Sequence, residues 1–92
     1  MSESNVQELR VANDSKTSKV AGAAVKYMQE GKTVILVAIG AGAVNKAIKA
    51  AATARGMVAP QGQDLAIVPG FRDEKVDMVE KTAIIMRFVR LQ

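Results

Sequence analysis

The chain has 92 residues with 13 basic and 9 acidic side chains, a formal charge of +4, and a 49 % hydrophobic content in which only Tyr27, Phe71 and Phe88 are aromatic. That length supports one small domain, whose core must be built from Val, Ile, Leu, Met and Ala. Neither cysteine nor histidine occurs, which excludes disulfides, thiol nucleophiles, Cys/His metal sites and every histidine-based triad, and with them most hydrolase chemistry.

The first residues, MSESNVQEL, are polar and lack the apolar core of a secretory signal. No apolar run approaches the roughly 18 residues of a membrane span. The expectation is a soluble cytoplasmic protein with no membrane partner and a short disordered head over residues 1–5.

In chain order, Leu9 and Val11 alternate with Glu8 and Arg10, which predicts a first strand over residues 6–12 with one buried face. Asn13-Asp14-Ser15 is turn chemistry, and Ser15, Thr17 or Ser18 is expected to cap a helix. In that helix Val20, Ala23, Ala24, Tyr27 and Met28 form the apolar stripe, and Gly31 ends it. Residues 34–39 are continuously apolar and four of the six are β-branched, as in a strand buried on both faces. After Gly40-Ala41-Gly42 an alanine-rich helix is expected over residues 43–55, stopped by Gly56. Its inner side would carry Val44, Ala47, Ile48, Ala51 and Ala54 or Arg55, and alanines 50–54 are expected to face another copy of the chain.

Residues 57–64 are punctuated by Pro60 and Gly62 and read as a connection. A short third strand over 65–68 ends at Pro69-Gly70. Residues 71–80 carry mixed charge and read as a loop at the tip of a hairpin, and residues 82–91 form the fourth strand. There Ile84, Met86 and Phe88 share one face, with Ile85, Arg87 and Val89 on the other. The expected fold is a single α+β domain in the order β-α-β-α-β-β, with a four-stranded mixed sheet and two helices on one face.

Four features are candidates for chemistry. Gly31-Lys32-Thr33 matches the end of a phosphate-binding Walker loop, but Lys26 stands where its first glycine belongs and a strand follows instead of a helix. Gly40 to Asn45 begins like a dinucleotide fingerprint, without its third glycine and with Asp64 misplaced for a ribose contact. Asp73, Glu74, Asp77 and Glu80 could hold a cation, but Arg72, Lys75 and Lys81 are interleaved with them, as on a solvated hairpin. The fourth is a basic set. Lys16 and Lys19 open the first helix, Lys46 and Lys49 lie early in the second, Arg72 and Lys75 lie in the hairpin loop, and both helix starts follow the carboxyl ends of their strands. Such groups grip phosphates without reading bases. Few aromatics are present to stack bases, which disfavours single-strand platforms. No nucleophile, base and orienting group stand together, so an enzyme is not expected, nor any cofactor or metal.

Residues 38–60, AIGAGAVNKAIKAAATARGMVAP, carry a specific resemblance. With Ser18-Lys19-Val20-Ala21-Gly22-Ala23, Asp64-Leu65, Pro69-Gly70-Phe71 and Glu80-Lys81-Thr82-Ala83-Ile84 in matching order, the chain resembles the stage V sporulation protein S family over residues 9–85. The resemblance implies an Alba-like fold and a nucleic-acid-binding, regulatory role in sporulating and related bacteria, with DNA ahead of RNA. It further implies a homo-oligomer joined through the second helix, with the first-helix entry and glycine turn facing the duplex and the hairpin reaching along the minor groove. Carried onto this chain, those contacts fall on Lys16, Lys19, Gly40, Gly42, Lys46, Arg72 and Lys75, and the basic set adds Lys49. Two other readings stand beside it: a protein-interaction scaffold, and a phosphate or nucleotide sensor at Gly40 to Asn45.

Overall fold

The computed structural model describes residues 5–91; the expected head, Asn5 apart, lies outside them. The elements are β1 (Val6–Val11), α1 (Thr17–Gln29), β2 (Thr33–Ala38), α2 (Ala41–Val58), a single 3-10 turn (Ala59–Gln61), β3 (Asp64–Val76) and β4 (Val79–Leu91). The sheet order is β1-β2-β4-β3, with β1 parallel to β2 and β4 antiparallel to both β2 and β3. The α+β arrangement of the sequence reading is therefore correct.

Both helices pack on one face of the sheet, where Val34 and Leu36 of β2 and Met86 and Phe88 of β4 are buried. Alanine sets the spacing of the layers. Ala21 and Ala24 of α1 and Ala47, Ala50 and Ala54 of α2 are each at most 1 % exposed, so the helix backbones approach closely at no cost in helix propensity. The alanines expected to face another copy thus fill this chain's own core, because α2 turns that stripe toward α1. Only Ala52 of that run is exposed, with Thr53 partly so. Ile48, expected inside, is 45 % exposed.

Three boundaries differ from the sequence reading. Helix α2 passes through Gly56 to Val58, and the left-handed residue that ends the segment is Gly62, with φ +76°. The start of α1 has Lys16 at its N-cap and no side-chain cap, because Ser15 Oγ instead accepts from the Ala12 amide at 2.8 Å. Strand β3 does not stop at Pro69-Gly70. It pairs with β4 through Val76, leaving Asp77 and Met78 as the turn. A proline is tolerated there because β3 is an edge strand with one unpaired side. The residues read as a loop are thus mostly strand.

The sheet is strongly coiled. Neighbouring strands lie about 4.8 Å apart, so the outer strands of a flat four-stranded sheet would be roughly 14 Å apart. Yet Arg72 of β3 touches Glu8 of β1, the opposite edge, at 2.6 Å. The distal half of the hairpin therefore curls over the sheet face that carries no helices. Along it Arg72, Glu74 and Val76 are half-buried while Phe71, Asp73 and Lys75 are exposed. Beneath it Val37 and Ala83, outside the main core, are 1 % and 0 % exposed.

Candidate functional site

Parallel pairing fixes where the two helices begin. Val11 lies beside Ala38, so the chain leaves β1 and β2 at the same end of the sheet and the starts of α1 and α2 stand next to each other. The turn into α2 needs Gly40, whose φ of +94° and ψ of 154° belong to backbone that side chains exclude. Gly42 is needed for a different reason. A β-carbon there would fall 2.8 Å from Asn13 Cγ, so the exposed Asn13 side chain rests over the start of α2 in the space that position 42 leaves open.

Neither helix has a side-chain cap or an acidic residue in its first turn. The first amides of a helix have no partner within it and sit at the positive end of the helix dipole. Around this double start lie Lys16 and Lys19, both exposed, and Lys46, partly exposed; the exposed Lys49 sits midway along α2. Among the described residues none of the four forms an ion pair. Beneath the starts is a cavity of about 310 Å³ whose lining includes Arg10, Asn13, Ile39 and Ala43. Of the residues singled out in the sequence, Lys16, Lys19, Gly40, Gly42 and Lys46 therefore gather at one end of the molecule, with Lys49 about two turns into α2.

The other two do not join them as free cations. Arg72 forks onto Glu8 through Nη1 (2.6 Å) and Nη2 (3.0 Å), and its Nη2 also pairs with Glu74 at 2.9 Å. Glu74 in turn accepts from Arg10 Nη2 at 2.7 Å. The hydrogen bond from Arg72 is the main reason the Glu8 carboxyl is more acidic than usual; for Glu74 the main cause is the bond from Arg10. The Arg72 guanidinium is held correspondingly more firmly in its charged form, chiefly by Glu8. Lys75 is exposed without an ion pair among the described residues, but it sits on a hairpin whose segment 71–84 has three cations against four carboxylates.

The other sequence motifs have structural roles of their own. At Gly31-Lys32-Thr33 the Gly31 and Lys32 amides return to the carbonyls of Met28 and Tyr27, both at 3.0 Å, which closes the end of α1 in a Schellman arrangement and leaves neither amide for a phosphate. Asp64 lies at the far end of α2, where Arg55 Nε and Nη2 donate to it at 2.6 and 3.2 Å. Asp73 accepts from the Thr82 hydroxyl at 3.2 Å, and strand alternation turns it away from Glu74.

A second cationic group escaped the sequence reading. At the opposite end of the sheet the Lys32 ammonium is 5.3 Å and that of Lys26 6.0 Å from the Tyr27 ring centroid. Arg90 Nη2 donates to the Met28 carbonyl at 3.2 Å. Gly31, Lys32 and Arg90 help line a cavity of about 270 Å³. These cations compensate the negative end of the α1 dipole, and only the chain reversal that brings β4 beside β2 reveals Arg90 as part of the group.

No helix among the described residues is long and apolar enough to cross a membrane. Fold and site together define a small α+β protein with a positively charged helix-start surface at one end of a coiled sheet. The chain belongs to the stage V sporulation protein S family (SpoVS), whose model matches residues 7–90, and is thus a small sporulation-related protein.

Proposed function

We propose that the protein is a non-enzymatic, cytoplasmic nucleic-acid-binding regulator that contacts the phosphate backbone with little sequence specificity, and duplex DNA before RNA. One observation carries this reading: two uncapped helix starts lie side by side among Lys16, Lys19 and Lys46, with Lys49 further along α2, and none of the four has an ion-pair partner among the described residues. Amides and lysines supply charge and donors but no base-reading geometry. Lys16, Lys19, Lys46 and Lys49 are the phosphate ligands in this reading, with Gly40 and Gly42 shaping the approach. The hairpin contributes little, because Arg72 is neutralised and the carboxylates around Lys75 repel phosphate.

Self-association through α2 fits the same picture, through the exposed Ile48 and Ala52 rather than the buried alanines. A salt titration of binding to duplex DNA, single strands and RNA tests the proposal. On the duplex, log affinity should fall against log salt with a slope of about −0.9 per phosphate contacted. Absence of binding at low salt to all three polymers rejects it.

A second reading, a small phosphate-ligand sensor at Gly40 to Asn45, is favoured by the cavity under the helix starts. Saturable binding of a mononucleotide or inorganic phosphate, unaffected by competing DNA, would select it.

A further inference from the structure

The ions that join the two edges of the sheet form an alternating chain, Glu8–Arg72–Glu74–Arg10, that leaves β1, crosses to β3 and returns to β1. No backbone pairing joins these strands, since β2 and β4 lie between them. The pairing of β4 with β2 stops at Ile84 opposite Ala38, and the partner of Ile84 in β3 is Phe71. Beyond that row the hairpin has no backbone partner in the sheet. What holds its distal half down is side-chain contact: the four charges, and the burial of Val37 and Ala83 beneath them. Pro69 and Gly70 mark the base of this segment. Ile85 Cγ1 lies 3.4 Å from where a β-carbon on Gly70 would be, so the strands stay in close register where the free arm begins.

We infer that the distal half of the β3–β4 hairpin, residues 70–83, is a strap closed over the helix-free sheet face by the Glu8–Arg72–Glu74–Arg10 chain, and that it swings away about Pro69-Gly70 when that chain is broken. Closed, it buries Val37 beneath its own Ala83 and neutralises Arg10 of β1 together with its own Arg72. Open, it exposes an apolar strip and releases Arg10, which lines the cavity beneath the helix starts. The charged groups around the chain are few. Lys81 lies opposite Glu74, Arg87 shares the cross-sheet row of Glu8 and Ile35, and both helices are on the other face. Neither cation replaces the fork that Arg72 makes to Glu8, so neutralising the two carboxylates leaves both arginines without a counter-ion and nothing to hold the arm.

The native chain contains no cysteine, so a spin-label pair at Gln29→Cys and Met78→Cys, both exposed positions, in chains diluted with unlabelled protein, reports the distance from the hairpin tip to the rigid α1. With Glu8 and Glu74 intact the expected result is one narrow distance distribution. With Glu8→Gln and Glu74→Gln added, the distribution should broaden and its mean should shift, while amides of Leu36 and Ala50 stay protected from exchange and report an intact core. A distribution that superimposes on the parent's, with the core protected, overturns the strap. Should the double variant not fold, Arg10→Gln with Arg72→Gln breaks the same two links between β1 and the strap from their other ends and is read by the same criterion: broadening supports the strap, and an unchanged distribution overturns it.

Discussion

The head of the Asn13 side chain occupies the space that a β-carbon on Gly42 would need, with Asn13 Cγ 2.8 Å from that point. Both residues are exposed, so the Asn13 amide can turn into solvent and make room. Gly42→Ala should therefore change stability by well under about 1 kcal/mol, because the yielding of Asn13 is offset by the helix propensity of alanine. Adding Asn13→Ala should raise the stability of the Gly42→Ala protein more than that of the parent, since residues in contact couple in a double-mutant cycle. Urea unfolding of the four proteins measures it. Additive changes would mean that the two positions do not interact.

Gly22 gives the contrasting case. It lies within α1 with nothing within 4 Å of an added β-carbon. Gly22→Ala should stabilise by roughly 0.5–1 kcal/mol, the helix-interior advantage of alanine, read as a rise in Tm.

At the hairpin tip Asp77 and Met78 have φ of 53° and 66°, the left-handed pair of a type I′ turn, which favours Asn-Gly. The Met78 side chain is 94 % exposed, so removing it sacrifices no packing. Asp77→Asn with Met78→Gly should add about 0.5–1 kcal/mol and raise Tm by a few degrees.

Acid should loosen the molecule in a defined window. Glu8, Glu74 and Asp64 are all more acidic than their ordinary values of 4.5, 4.5 and 3.8, each chiefly through a hydrogen bond from an arginine. A carboxylate more acidic in the folded chain contributes stability that is fully present above its unfolded value and is lost as pH falls through the folded one. Urea midpoints should be flat from neutrality down to about pH 5 and should fall below about pH 4.5. The Glu8→Gln, Glu74→Gln variant should show a shallower fall. An equally steep fall would place the acid sensitivity elsewhere.

Charge reversal at the helix starts separates the phosphate reading from its rivals. Lys19→Glu with Lys46→Glu should weaken binding to every duplex sequence alike and should flatten the salt slope by about 2, one unit for each lysine that no longer meets a phosphate. Unchanged affinity would move the site away from this end.

Much of the architecture is legible in the residues because it rests on short-range patterns. The apolar run 34–39, the alternation in β4 and the Gly40 turn each have one reasonable local reading, and their order leaves few topologies. The misread segments depend on partners far away in sequence. Gly56 looks like a helix stop, but nothing there requires positive φ, and the stop falls at Gly62. Residues 71–80 look like a solvated loop until Glu8 and Arg10, over sixty residues earlier, are seen to accept from Arg72 and donate to Glu74. The same ion chain explains why Arg72 belongs with the fold and Lys46 with the surface, although composition treats both as basic residues. The alanine run is ambiguous for a related reason: small side chains suit a close helix neighbour, whether that neighbour is α1 or another molecule.

The strand order has a consequence for synthesis. Strand β4, the last of the fold to leave the ribosome, lies in the middle of the sheet, and its partner in β2 is more than forty residues upstream, with Ile35 meeting Arg87. Until then β1 and β2 form only a two-stranded parallel ribbon, and the apolar β2 edge has no cover. Pairings this distant in sequence are slow to close. A nascent chain stalled before residue 84 should therefore remain open to proteases and chaperones, and protection should arrive in a single late step rather than grow with length.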